Sequence, residues 1–140
     1  MNDPKVSRLK TPEDCESFAQ NVEKAHPDLA KQARRYGVEL RATAYGAKSD
    51  AEREALQAVF AFEEVRSQAR GKRVRASRTW QSIKREGILP TVEKVVAKRK
   101  VTEAYDALVD AGMSDFTFEA VVLKHPGAFS AEAIANARTR

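Results

Sequence analysis

From Asp50 to Arg70 the chain runs twenty-one residues with neither glycine nor proline, bounded by Ser49 on one side and Gly71 on the other. Such a run constrains the fold more than any other feature. Ser49 and Glu52 match a capping box, and Gly71 follows as a C-terminal stop. On a helical wheel Ala55, Leu56, Ala58, Val59, Phe60, Phe62 and Val65 cover more than half the circumference, too wide a stripe for a helix lying on a surface. The run is therefore expected to be a central helix, packed on more than one side. Glu63 falls on the apolar side and needs a partner, which Arg66 and Arg70 can supply from i+3 and i+7. A structural ion pair is the preferred reading of Glu63 over a catalytic carboxylate, because ion-pair networks imitate active sites.

The remaining apolar residues also recur at helical spacing, and the six glycines and five prolines fall largely between the repeats. Thr11 and Pro12 open a helix with Cys15, Phe18, Ala19 and Val22 on one face. Pro27 and Asp28 open the next, with Gly37 as a candidate stop. Val38 to Tyr45 alternates as a half-buried strand would, yet Leu29, Ala33, Tyr36, Leu40 and Ala44 keep helical spacing through Gly37. No second stretch offers a strand partner, so helix is the reading adopted. Ser77 is expected to cap a helix carrying Trp80 and Ile83 and ending near Gly87, and Pro90 or Thr91 to open another with Val92, Val95 and Val96. Val101 to Ala111 continues, making Ser77 to Ala111 a trihelical half. A helix with Phe118, Val121 and Val122, and one capped by Ser130 with Ala133, Ile134 and Ala137, complete the chain. The expected fold is one all-α, compact multi-helix domain spanning residues 1–140, of about six to eight helices around the helix near 50–70.

One cysteine, Cys15, excludes an intramolecular disulfide and a thiolate-built zinc site. No secretory leader is read at the start, and the longest apolar run, Ala58 to Phe62, is far short of a bilayer span. A cytoplasmic protein with no membrane partner is expected.

Charge is segregated along the sequence. Arg66, Arg70, Lys72, Arg73, Arg75, Arg78, Lys84, Arg85, Lys94, Lys98, Arg99 and Lys100 face only Glu86 and Glu93 within residues 66–100, whereas the rest of the chain is net acidic although the total is +5. Crowded cations favour a polyanion, since each one set against a phosphate releases condensed counterions. The densest part, Arg70 to Arg78, brackets the start of the Ser77 helix, where free N–H groups and the hydroxyls of Ser77 and Thr79 suit phosphate. The competing reading is a solvated loop whose arginines pair with Glu63, Glu64 and Glu86. Trp80 shares a helical face with Ile83, which supports a core role over base stacking. Trp80, Ile83, Gly87, Val92, Val95 and Val96 resemble the spacing of a helix-turn-helix, a pattern that many pairs of short helices satisfy. No residue is assigned to base readout.

Signs of catalysis are sparse. Cys15 lies on an apolar face where burial raises the thiol pKa. His26 and His125 each precede a proline at a helix end, which suits capping better than metal or acid–base work. Asp14, Glu16, Glu63, Glu64 and Asp115 have no spacing that predicts convergence. The sequence therefore points to a non-enzymatic nucleic-acid-binding accessory or regulatory protein, with DNA as the leading choice. Its contact residues are Arg70, Lys72, Arg73, Arg75, Arg78, Lys84, Arg85, Lys94 and Lys98, and it needs no cofactor or metal. The alternatives are a protein–protein interaction module that docks an acidic partner or forms a homodimer, and, more distantly, a metal-dependent nuclease.

Overall fold

The computed structural model describes residues 2–98 and 100–140. It is all-α: among the described residues there are nine α-helices, two 3-10 turns and no strand. Two compact units, Met1–Gly46 and Ala47–Arg140, divide the chain.

The first unit holds α1 (Pro4–Ser7), α2 (Pro12–Val22) and α3 (Pro27–Tyr45). The one-turn α1 was not expected from the sequence, being too short to show a periodic face. Asp3 caps it by accepting the Lys5 N–H at 2.9 Å, and the Asp3 N–H in turn donates to Gln32 Oε1 of α3. Thr11 Oγ1 accepts the Asp14 N–H at 3.0 Å, as an N-cap threonine should. Ala19, Ala30, Ala33 and Val6 are buried together, with Phe18, Leu29 and Tyr36 packed around them. The small residues let α2 and α3 approach closely, and Gly37 is part of that approach. A Cβ added there would sit 3.2 Å from Cys15 Cβ. Gly37 is therefore not a stop: the helix runs through it and through Val38–Tyr45 to Gly46, which takes the left-handed conformation at φ 90°. Arg34 also links the two helices, at 2.9 Å from Glu23 and 3.5 Å from Glu16.

The second unit is built on α4 (Asp50–Arg70), followed by α5 (Ser77–Glu86), α6 (Ile88–Val96), α7 (Glu103–Asp110), α8 (Phe118–Lys124) and α9 (Ala131–Thr139). Short 3-10 turns at Ser114–Phe116 and Pro126–Ala128 flank α8. Ser49 Oγ accepts the Glu52 N–H at 3.1 Å, and Glu52 reaches back to the Lys48 N–H, one residue before the cap. At the other end Gly71, φ 70°, closes the helix through the Lys72 N–H to Ser67 C=O bond. α4 packs against α6, α7 and α8, which is why its apolar stripe is so wide. Ala55 joins Val92, Val96, Val121, Val122, Ala133 and Ala137 in one cluster, and Val59 joins Ala76 and Ile83 in another.

Two helix starts differ from the sequence reading. Ser77 is not a cap but the first helical residue; Ala76 holds the N-cap position without a side-chain bond of its own. α6 opens at Ile88, earlier than Pro90 or Thr91, directly after Gly87 with φ 101°. Pro90 is tolerated because the first intrahelical bond is Thr91 N–H to Gly87 C=O, so the missing proline donor falls among groups with no partner in the helix.

Candidate nucleic-acid interface

A single glycine between α5 and α6 folds the second helix back beside the first. Positions Arg78, Ser82 and Arg85 stand at i, i+4 and i+7 on α5, and Thr91, Lys94 or Val95, and Lys98 repeat the pattern from α6 onward. These two stripes face each other across a groove of about 470 Å³, lined by Arg78, Thr79, Gln81, Ser82, Arg85, Thr91, Lys94, Val95 and Lys98. Four cations line it and no acid does. Arg78, Lys94, Lys98 and Arg85 are all exposed, while Thr91 is buried at the base. Arg78, Arg85 and Lys98 have no salt bridge with any described residue. Lys94 Nζ lies 3.6 Å from Glu86 Oε1 at the edge of the groove.

The groove floor is polar. Ser82 Oγ donates to Glu86 Oε2 at 2.9 Å and lies 3.0 Å from Thr91 Oγ1, which donates to Gly87 C=O at 2.8 Å. The Ser82 hydroxyl, with help from Lys94 and Arg85, holds the Glu86 carboxyl below its ordinary pKa. Glu93, the other acid of the basic segment, is taken by structure: its carboxylate accepts the Ser130 N–H at 2.7 Å and the Ser130 hydroxyl at 2.9 Å, fixing the start of α9. The far end of α6 is fixed as well. Asn136 Nδ2 donates to the carbonyls of Val96 and Ala97, and the Arg140 guanidinium reaches those of Val96 and Lys98. Lys98 thus leaves a backbone in which its own carbonyl and those of Val96 and Ala97 are satisfied.

Of the nine candidate contact residues, the groove gathers Arg78, Arg85, Lys94 and Lys98. The other five do not line it. Arg70 is exposed in the last turn of α4, where it complements the helix dipole. Lys72 is exposed in the connector. Arg73 lies 3.3 Å from Glu64, and Arg75 lies 3.7 Å from Glu63 with its guanidinium 5.9 Å from the Trp80 ring centre. Lys84 falls on the other side of α5 from Ser82. Arg99 lies outside the described residues. Thr79, whose hydroxyl the sequence offered to phosphate, lines the groove; Gln81, Ser82, Thr91 and Val95 were missed, although their helical spacing from Arg78 and Lys98 was available.

Glu63 does not pair with Arg66 or Arg70. Its carboxylate, 2% exposed, accepts the Ala76 N–H and the Trp80 indole N–H at 2.7 Å each, with Arg75 behind. Arg66 turns instead to Glu103 at 2.5 Å. The helical register that suggested i+3 and i+7 partners was outweighed by α5, whose first turn brings two N–H donors to a carboxylate already buried in α4. The Ala76 N–H at the start of α5, expected to suit phosphate, thereby holds an internal anion. Trp80 packs its ring on Phe60, 5.1 Å between centres, and serves the core.

Cys15 is buried, and loss of solvation, reinforced by Asp14, pushes its thiol up to about 11. His26 starts α3 without a side-chain cap bond, and His125 ends α8 with Nε2 2.5 Å from Glu54. Among the described residues no group of three or more His, Cys, Asp or Glu is placed to hold a metal ion, and no helix is long and apolar enough to cross a membrane. Comparison of the chain with models of protein families, with curated proteins and with solved structures finds no match.

Proposed function

We propose that this protein is a non-enzymatic nucleic-acid-binding accessory or regulatory protein, with DNA as the leading choice, that seats a phosphate backbone in the groove between α5 and α6. The observation that carries the reading is the convergence of Arg78, Arg85, Lys94 and Lys98 on one groove without an acid in its lining. Forked arginines and point-charge lysines over a floor of hydroxyls suit phosphate oxygens, and they position a backbone without reading bases. α6 begins with Ile88, Leu89 and Pro90, so its first turn carries no polar side chain for a base edge; the contacts on offer come from its second half.

The test is a salt series on a labelled duplex of about 20 base pairs, followed by fluorescence anisotropy. Four phosphate contacts correspond to a slope of about −3.6 in log affinity against log salt, at about 0.9 per contact. Replacing Arg78, Arg85 and Lys98 by Gln is expected to flatten the slope by about 2.7, whereas the charge-matched replacement of Arg70, Lys72 and Lys84 leaves most of it. Equal effects of the two triple variants overturn the assignment to this groove. A polyglutamate probe bound as tightly as the duplex favours an acidic protein partner instead.

A further inference from the structure

Glu86 is placed against what a helix ordinarily favours. It is the last residue of α5, where a carboxylate meets the negative end of the dipole, and it is exposed, so burial does not hold it there. What holds it is the groove's own binding equipment: the Ser82 hydroxyl at 2.9 Å and the Lys94 ammonium at 3.6 Å, with the Arg85 charge beside it. One hydrogen bond donated by the hydroxyl and one charge from the ammonium are what a phosphodiester oxygen would take from this end of the groove. The carboxylate therefore marks an anion subsite by occupying it.

Resting on the polyanion reading above, we propose that Glu86 is a built-in competitor for the nucleic-acid phosphate, engaging Ser82 and Lys94 until a backbone phosphate displaces it. Displacement sets a threshold. A lone phosphate gains little, because it exchanges one anion for another at the same two donors. A continuous backbone can break the Glu86 contacts because its neighbouring phosphates are held at the same time by Arg78 and Lys98, so that the exchange is intramolecular in all but name. The groove then discriminates polyanions from the small anions of the cell, by charge competition and without any base contact.

The proposal is tested on the full chain with Glu86→Gln and, as a charge-matched control, Asp110→Asn, an exposed acid in the last turn of α7 outside the groove lining. Thermal midpoints by circular dichroism establish that both variants are folded. With the same 20-base-pair probe, Glu86→Gln is expected to tighten binding about threefold to fivefold at low salt, within the range of exposed charge pairs. The salt slope is expected to stay at about −3.6, because the phosphate reaches Lys94 in both proteins and only the cost of displacing Glu86 is removed. Asp110→Asn changes affinity less than about twofold. Lys94→Gln is expected to cost more in the Glu86→Gln background than in the native one, because the ammonium is then no longer shared. If Glu86→Gln binds no tighter than Asp110→Asn, or Lys94→Gln costs the same in both backgrounds while the native protein still binds with its salt slope, the competitor role is overturned and the groove reading stands. If the native protein shows no salt-dependent binding, both fall.

Discussion

Replacing Glu63 by Ala tests whether a buried carboxylate joins α4 to α5. Two short bonds end on that carboxylate, one from the Ala76 N–H and one from the Trp80 indole, each 2.7 Å. A hydrogen bond to a charged group contributes about 1.5–3 kcal/mol, and a donor left buried without an acceptor costs about 1–3 kcal/mol. Relief of the buried charge offsets part of the loss, so a net destabilisation of about 3 kcal/mol is expected. Glu63→Gln, which keeps the shape and one acceptor but not the charge, is expected to lose about half as much. Trp80 is the sole tryptophan of the chain, so its fluorescence during urea unfolding reports this junction directly. With a slope of about 2 kcal/mol per molar urea, the Ala variant's midpoint falls by about 1.5 M. A shift under about 0.3 M, or Gln and Ala variants that unfold together, refutes the reasoning. So does strict additivity of Glu63→Ala with Trp80→Phe by circular dichroism, since the two share a bond.

Arg140→Gln leaves Glu119 buried without its 2.8 Å partner, in a pair whose side chains are 5% and 6% exposed. A loss of about 3–5 kcal/mol in denaturant unfolding is expected, and the double variant with Glu119→Gln should recover part of it; a loss below about 1 kcal/mol contradicts the pairing. Glu54 gives a pH signature. Burial alone would raise its pKa, but hydrogen bonds from Lys124 and His125 outweigh burial and hold it below the ordinary glutamate value of 4.5. A lowered folded-state pKa means that its stabilisation is complete above the unfolded value and is lost as pH falls through the folded one. The thermal midpoint is therefore expected to drop below about pH 4.5, by less in Glu54→Gln than in the native protein; identical acid profiles refute it.

Most helices were legible in the sequence because their signals are local. Ser49 with Glu52, Thr11 with Pro12, Gly71 and Ser130 each act on backbone groups within a few residues, and each is found in the role its type predicts. Gly37 misled because a glycine that ends a helix and a glycine that lets another helix approach look alike in one dimension; Cys15, across the hairpin, decides between them. Ser77 misled similarly, since the Ala76 N–H had an acceptor fourteen positions from Ser77, in Glu63, that no local pattern could reveal.

The candidate site divides along the same line. The sequence alone determines most of the helices, most of their caps and the net basic middle of the chain, whereas Lys98, read as sharing a helix face with Lys94, lies two residues beyond the end of α6 at Val96. Which cations are free and which are held was decided by tertiary structure: Arg73 and Arg75 are drawn to Glu64 and Glu63, Glu93 to Ser130, while Gly87 brings Arg78 and Arg85 opposite Lys98. Helix hydrogen bonds reach four residues along the chain, so the chain's own order specifies them. Charge pairing falls off with distance through space, and only the folded arrangement sets that distance.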